Sequence, residues 1–233
     1  GAITLLLGAF AAMFQNDLKG LLAYSTISHL GLITLLLGLN SPLAAVAAVF
    51  HIINHATFKA ALFMTAGIVD HETHTRDIKR LGGLRHLMPI TFTIATIGAL
   101  SMAGIPLFNG FLSKEMMLEE ASHTVWNGYA WLVPAMATIG ALLSAAAVLP
   151  LLAATALILG ASYNLWMYKR VYFGDVTNDH VRELKDINAR EFLILAVLAA
   201  AVLWMGLQPK PFTDVMHVSV TELIKHVSLS KLN

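Results

Sequence analysis

The sequence predicts an all-α fold, a polytopic bundle of transmembrane helices. Hydrophobic residues make up 57% of its 233 residues and charged residues only 12%, about half the charge of an average soluble domain. The apolar residues are grouped into runs, several of which reach the roughly 20 residues that a membrane-spanning helix needs. Gly and Pro interrupt one run, and the last segment has amphipathic helical spacing. We therefore expect one broken helix, a transmembrane domain over residues 1–211 and a C-terminal amphipathic helix over residues 212–233.

Charge and cysteine content exclude several function classes. The formal net charge is +1 and no basic patch is interleaved with aromatic residues, so the sequence predicts no binding of nucleic acid. The chain has no Cys, which excludes disulfide bonds and thiolate-ligated zinc or iron–sulfur centres. No glycine-rich nucleotide-binding motif stands between a strand and a helix. We expect no cofactor and no metal in this chain, so any redox chemistry that drives it lies in another protein.

The first two predicted helices lie at residues 2–14, a partial span, and at residues 21–39, a full span. The sequence starts without Met and without a basic signal segment, so we expect it to begin within a longer protein. The second helix carries an unusually polar stretch at residues 24–29, which ends at His29. Its hydroxyl groups can bond to the preceding turn of their own helix or, with His29, hold water in a half-channel. The sequence favours neither alternative.

A third helix, predicted over residues 43–69, carries a ladder of ionisable side chains. His51, His55 and Lys59 are four residues apart, so successive side chains are offset by only about 40° around the helix. A Lys at mid-bilayer costs about 2.5–3.5 kcal/mol on insertion scales, and such residues normally face a bundle interior or a water-filled path. A lone His is often a packing residue, and a Lys near a helix end can reach the interface. Three such groups on one stripe favour a proton relay.

A broken helix is predicted between residues 89 and 122. The loop before it, at residues 70–86, is rich in Lys and Arg. Residues 104–110 place Gly, Pro and Asn within apolar sequence, and Lys114 and Glu115 follow directly. Broken membrane helices commonly line a cavity and mark ion sites, whereas the same two charges are also compatible with an ordinary helix end at the interface. The position of the break favours a functional role for both residues.

The C-terminal third leaves one topological question open. Residues 129–167 form an apolar run too long for one span, and Pro150 offers a break that would make two helices. The basic loop at residues 169–190 and the earlier basic loop, however, share one side of the membrane only if the run crosses once. A last span follows at residues 192–207. Residues 213–232 predict an amphipathic helix on the membrane surface or against a partner.

Several motifs together resemble a known family. They are Asp17-Leu18-Lys19, Ala23-Tyr24-Ser25-Thr26, Ser28-His29-Leu30-Gly31 and Gly110-Phe111-Leu112-Ser113-Lys114-Glu115, together with the ladder. In this combination they look like the antiporter-like subunits, the proton-conducting membrane chains shared by respiratory complex I and the Mrp-type sodium/proton antiporters. Residues 1–147 look most like the large A-type subunit of an Mrp antiporter. Residues 148–233 look like the M-type subunit of the NADH:quinone oxidoreductase, which implies a junction near residues 148–150, as in a fusion.

The resemblance implies that the chain is the second half of an inverted-repeat fold in which a hydrophilic axis conducts protons. Lys19 looks like the buried Lys of the second repeat, and this role rests on the resemblance alone. His29 and His55 look like histidines of the axis, and Lys114 looks like the terminal residue of the broken helix. The implied proton pathway comprises Lys19, His29, His51, His55, Lys59, Lys114 and Glu115.

These expectations predict a proton-translocating membrane subunit of a respiratory NADH:quinone oxidoreductase-type complex, a translocase without a redox site of its own. Its partners would be other membrane subunits, the lipid bilayer and protons, with sodium as a further candidate, in the bacterial inner (plasma) membrane. Quinone, NADH, FMN and iron–sulfur clusters would belong to partner subunits. The alternatives are one of the subunits of an Mrp-type sodium/proton antiporter and a non-conducting structural fragment of such a complex.

Overall fold

The computed structural model describes residues 1–39, 41–123, 145–173, 175–176, 184 and 186–230. Within these residues the chain is all-helical, apart from one isolated antiparallel bridge between Asp17 and Asp77, so the predicted fold class is confirmed. In chain order the helices are α1 (Ala2–Met13), α2 (Leu18–Leu37), α3 (Pro42–Thr73), α4 (Leu84–Leu87), α5 (Pro89–Ala103), α6 (Asn109–His123), α7 (Ala145–Phe173), α8 (Ala189–Leu207) and α9 (Lys210–Ser230).

Helix α3 is the centre of the bundle and packs against α2, α5, α6, α8 and α9. Within the described part of the chain, α2, α3 and α8 are the helices long and apolar enough to cross a membrane. The Ser41 side chain caps the N-terminus of α3, and Pro42 lies in its first turn, where the N–H that Pro lacks would be unpaired anyway. The helix ends at Thr73, and the residue that caps it, His74, adopts the left-handed conformation.

Small residues let α1 and α2 touch along their backbones. A Cβ atom on Gly8 would lie 2.6 Å from the backbone nitrogen of Ser28, and one on Gly31 would collide with the backbone of Leu5. The Ser28 hydroxyl donates a hydrogen bond of 2.8 Å to the Leu5 carbonyl. Small residues at such contacts are typical of helices that pack in membranes. The adjacent residue of α2, His29, is buried.

The predicted broken helix is confirmed between α5 and α6. Gly104 ends α5 with a φ of +83°, and Leu107 has a φ of +79°. A positive φ suits Gly but strains Leu, so the turn needs support from its surroundings. Helix α8 packs on this turn through Gly206, where a Cβ atom would lie 2.7 Å from the Asn109 nitrogen and closer still to the Leu107 carbonyl oxygen.

Helix α3 continues into the segment expected to be a loop. The prediction that the loop begins at Asp70 is wrong, because α3 runs to Thr73 and the short helix α4 occupies part of the expected loop. Lys19 at the start of α2 forms an ion pair of 2.7 Å with Asp70. Because this pair offsets the charge of Asp70, the residue remains within the helix and does not end it.

Helix α7 includes Pro150 as its sixth residue. Of the two alternatives for this position, the structure has the uninterrupted helix. A Pro this close to a helix start removes one backbone hydrogen bond. The number of times that residues 129–167 cross the membrane depends on residues 129–144, which lie outside the described residues.

The C-terminal helix α9 packs against α3 of the same chain. Phe212, Met216 and Val220 recur every four residues and form one cluster with Val46 and Phe50. This spacing places them on one face of a helix. The amphipathic helix predicted at residues 213–232 therefore covers α3 with the apolar stripe of its described part.

Candidate functional site

Three histidines from two helices form one buried stack. Helix α2 contributes His29, and α3 contributes His51 and His55; the exposed fractions are 5%, 0% and 7%. The ring centroids lie 5.1 Å apart for His29–His51, 4.8 Å for His29–His55 and 5.9 Å for His51–His55. His29 Nδ1 and His51 Nε2 share a hydrogen bond of 2.9 Å. The ladder of α3 is thus completed by a residue of α2.

His51 also reaches the second half of the broken helix. Its Nδ1 lies 3.0 Å from Ser113 Oγ, and Ser113 donates to the Gly110 carbonyl at 3.3 Å. His55 Nε2 is buried and has no hydrogen-bond partner among the described residues. Its ring packs edge-on against Phe58, with centroids 5.4 Å apart. A buried nitrogen of this kind can accept a proton or bind a water molecule.

Lys59 is 4% exposed and is held by neutral groups. Its Nζ donates to the Leu22 carbonyl at 3.1 Å and to the Ser25 hydroxyl. Ser25 in turn donates its hydroxyl proton to the same Leu22 carbonyl at 2.7 Å. Among the described residues no carboxylate pairs with Lys59. A buried ammonium that lacks a counter-ion is costly, so this amine is suited to release its proton as well as to hold it.

Lys114 connects the broken helix to the histidine stack. Its Nζ donates to the Met102 carbonyl at the C-terminal end of α5, where the helix dipole favours a cation. The same side chain lies against Gly104, where a Cβ atom would be 3.1 Å from Lys114 Cδ. A small cavity of about 10 Å³ is lined by both Lys114 and His29, which is room for roughly one water molecule. A water there would lie beside both Lys114 and His29.

An amide network holds the break beside the ladder. Asn109 at the start of α6 donates through Nδ2 to Asn54 Oδ1 at 3.0 Å, and the Ser101 hydroxyl donates to Asn109 Oδ1. The Gly110 nitrogen donates to Ser101 Oγ at 3.1 Å. Sequence reasoning missed Asn54, although it lies about one turn after His51 and therefore on the same side of α3.

Sequence reasoning left two roles open for the hydroxyls of residues 24–29, Ser25 among them, but did not predict the contact of Ser25 with Lys59. Ser25 lies four residues before His29 on α2, which is the same spacing that singled out the ladder on α3. A search for polar residues at this spacing on both helices would have found it. Its contact with Lys59 depends on how α2 and α3 pack, which the spacing alone does not predict.

Two of the predicted site residues lie away from the stack. Lys19 pairs with Asp70 at the end of α3, and its side chain is 35% exposed. Arg76 lies 3.4 Å from Asp17 and completes this ion-pair cluster. Glu115 is on the exposed face of α6, because one residue turns a helix by about 100° away from Lys114. The roles of Lys19 and Glu115 in a proton pathway stay predictions.

Comparisons with known proteins agree with the motif pattern. The family model described as NADH:quinone oxidoreductase/Mrp antiporter, TM, matches residues 1–144. The chain is 53% identical over 209 residues to the A/B subunit of a probable K(+)/H(+) antiporter of Rhizobium meliloti, in an alignment that covers 87% of this chain and 19% of that protein. It is 39% identical over 240 residues to the A1 subunit of a Na(+)/H(+) antiporter of Staphylococcus aureus, over 97% of this chain and 29% of that protein.

Solved structures share the fold. A chain of respiratory complex I from Thermus thermophilus with bound NADH matches with a TM-score of 0.77 and 26% identity, over 96% of this chain and 43% of that chain. A chain of the Mrp complex from Dietzia sp. DQ12-45-1b matches with a TM-score of 0.74 and 33% identity, over 94% of this chain and 22% of that chain. The present chain spans 19% to 29% of the length of the two curated relatives. The alignment with the Staphylococcus protein runs across residues 148–150, since it covers 97% of this chain.

Proposed function

This chain belongs to the NADH:quinone oxidoreductase/Mrp antiporter transmembrane family, and from this premise we propose that it is the proton-carrying part of an A-type cation/proton antiporter subunit. The full subunit would exchange protons for sodium or potassium across the bacterial plasma membrane, together with other membrane subunits. The names of the curated relatives support this proposal. They favour the antiporter alternative over the NADH:quinone oxidoreductase that the sequence first favoured.

The observation that carries the proposal is a group of buried side chains that can accept protons. The histidine stack and Lys59 lie on α2 and α3, and Lys114 shares a cavity with His29. Neutral imidazole and amine groups can each take a proton, but several positive charges at this separation repel one another in a medium of low dielectric constant. Loading one group would therefore drive the proton off a neighbour. Such displacement moves protons in steps without a covalent intermediate.

Two alternatives remain, each supported by one observation. Proton translocation driven by NADH oxidation is supported by the match to a chain of complex I. A non-conducting structural role is supported by the neutral partners of the buried lysines, since Lys59 and Lys114 both donate to backbone carbonyls. The first predicts proton movement that depends on NADH and not on added sodium or potassium. The second predicts that substitution of the buried lysines changes only the assembly of the complex.

The test is antiport in everted vesicles that contain the full-length subunit in its complex, made from a host without other antiporters. Addition of sodium or potassium should collapse a preformed pH gradient. The Lys59→Ala variant should lower this rate by about 100-fold or more, the scale of a lost proton-transfer group. Lys79→Ala serves as the control, because Lys79 is exposed in the loop after α3.

Three outcomes would contradict the proposal. Full antiport by the Lys59→Ala variant would mean that no proton relay depends on Lys59. A wild-type complex that moves protons with NADH but not in response to either cation would favour the oxidoreductase. Unchanged proton movement in both the Lys59→Ala and Lys114→Ala variants would favour a structural role. Complex assembly is checked by size-exclusion chromatography in every case.

A further inference from the structure

The Ser113 hydroxyl lies between two hydrogen-bonding partners of different kinds. Ser113 is fully buried, with His51 Nδ1 at 3.0 Å and the Gly110 carbonyl oxygen at 3.3 Å. A carbonyl oxygen can only accept, and a serine hydroxyl has one proton to donate. When that proton points to Gly110, the serine oxygen can contact His51 Nδ1 only as an acceptor. Nδ1 of His51 then carries the ring proton.

The tautomer of His51 determines the tautomer of His29. A neutral imidazole has one N–H, so His51 Nε2 is then an acceptor. Its partner at 2.9 Å, His29 Nδ1, must therefore donate. The second nitrogen of His29, Nε2, is left with a lone pair. Since His29 lines the cavity that it shares with Lys114, its Nε2 is the nitrogen that can take a proton arriving through that cavity.

We propose that Ser113 is a positioning residue that sets the tautomers of both His51 and His29, and thereby prepares His29 Nε2 as the proton acceptor for the Lys114 side of the pathway. The inference deepens the proposed function and rests on it for its role in transport. Ser113 itself transfers no proton. It acts through the orientation of one hydroxyl group.

The proton balance shows why no proton passes from the histidine stack to Ser113. A proton that binds His29 Nε2 can be followed by transfer of the His29 Nδ1 proton to His51 Nε2. His29 is then neutral again, and His51 carries both ring protons and the positive charge. The His51 Nδ1 proton cannot continue, because the serine has already donated to a carbonyl that cannot bind a proton covalently at neutral pH. The proton must leave by way of His29, which is the other hydrogen-bond partner of His51.

The experiment compares histidine tautomers in the assembled, full-length complex by nitrogen-15 solid-state NMR with labelled histidine. The two tautomers of a neutral imidazole give distinct pairs of nitrogen signals. The His51 signals are those that a His51→Asn variant lacks, and the His29 signals are assigned in the same way. In the wild type we expect both rings to carry the proton on Nδ1.

Ser113→Ala removes the acceptor of the His51 Nδ1 proton, so both rings should shift to mixed tautomers and transport should fall by about tenfold. Ser113→Thr keeps the hydroxyl and should restore both signals and transport. Thr65→Val is the matched control, because Thr65 is a buried hydroxyl on α3 that bonds to Leu62 of its own helix. It should leave the His51 and His29 signals unchanged.

Wild-type rings protonated on Nε2, or tautomers that stay the same in Ser113→Ala, would overturn the inference. The tautomer readout does not depend on cation exchange. A wild-type complex with the expected tautomers but no antiport would therefore contradict the proposed function and leave this assignment standing. Antiport by a complex whose rings carry the proton on Nε2 would contradict the tautomer assignment and leave the proposed function standing. If Ser113→Ala fails to assemble, the Ser113→Cys variant, with its weaker hydrogen bonding, is measured in its place with the same expected direction.

Discussion

Lys59 combines two properties that matter separately, a positive charge and the ability to lose it. Its Nζ donates to Leu22 and Ser25 and pairs with no described carboxylate. An Arg at this position would keep the charge and the hydrogen-bond donors, but a guanidinium does not deprotonate in proteins. The substitution of Lys59 by Arg therefore separates charge from proton transfer.

We predict that Lys59→Arg lowers antiport as strongly as Lys59→Ala, by about 100-fold or more, while the complex still assembles. Antiport in everted vesicles and size-exclusion chromatography check the two parts. Lys79→Arg is the matched control in the exposed loop. Antiport near the wild-type rate in Lys59→Arg would mean that the site needs a fixed charge and that no proton passes through it.

Periodicity predicted part of the site at the residue scale and could not predict the rest. The spacing of four residues placed His51, His55 and Lys59 on one stripe of α3, because that relation depends on one helix alone. The contact of His29 with His51 and of Ser113 with His51 joins residues 22 and 62 positions apart. Such contacts depend on how the helices pack, which spacing within one helix does not specify.

At the scale of elements, the break between α5 and α6 packs against a small residue on α8. Gly206 leaves room for the backbone of Leu107 and Asn109, which a Cβ atom would enter. Gly67 on α3 is the opposite case, because a Cβ atom there would meet nothing within 4 Å. The two glycines therefore form a matched pair for one substitution.

Gly206→Ala should destabilise the complex by about 1–3 kcal/mol, the usual cost of an extra atom in a packed site, and should lower antiport because Lys114 is carried by the same break. Gly67→Ala should be neutral or more stable by about 0.5–1 kcal/mol, since Ala loses less backbone entropy than Gly when it becomes helical. Thermal melting of the purified complex measures both. Equal melting temperatures for the two variants would contradict the packing argument.

The ends of α2 and α3 are joined by the ion pair between Lys19 and Asp70, with Arg76 and Asp17 beside it. The pair is partly exposed, so we expect each single charge reversal to cost about 1 kcal/mol or less by loss of the pair. The exchanged pair, Lys19→Asp with Asp70→Lys, should recover the antiport rate and part of the melting temperature, because the new Lys would lie beside Arg76. Recovered stability without antiport would instead place Lys19 in the proton pathway, as the family resemblance implies.

At the scale of the whole molecule, hydropathy predicted the all-α membrane bundle, because it shows which segments can be buried in hydrocarbon. The break was predicted from Gly, Pro and Asn within apolar sequence. Helix ends were predicted less well, as Asp70 shows, since an ion pair can keep a charged residue helical. The kind of complex was harder to predict. A chain of respiratory complex I and a chain of an Mrp complex both match this fold, so the fold alone does not separate the two branches.

Helix α9 contributes no ionisable group to the stack, yet it covers Phe50, the neighbour of His51, with Met216 and Val220. A membrane that stores energy as an ion gradient behaves as a charged capacitor, and any sideways leak from a conducting row would discharge it. The apolar contact between α9 and α3 would act as insulation, because it excludes water and ions from the side of the histidine stack. In the proposed function, these chemically inert side chains would determine how little of the gradient is lost as heat.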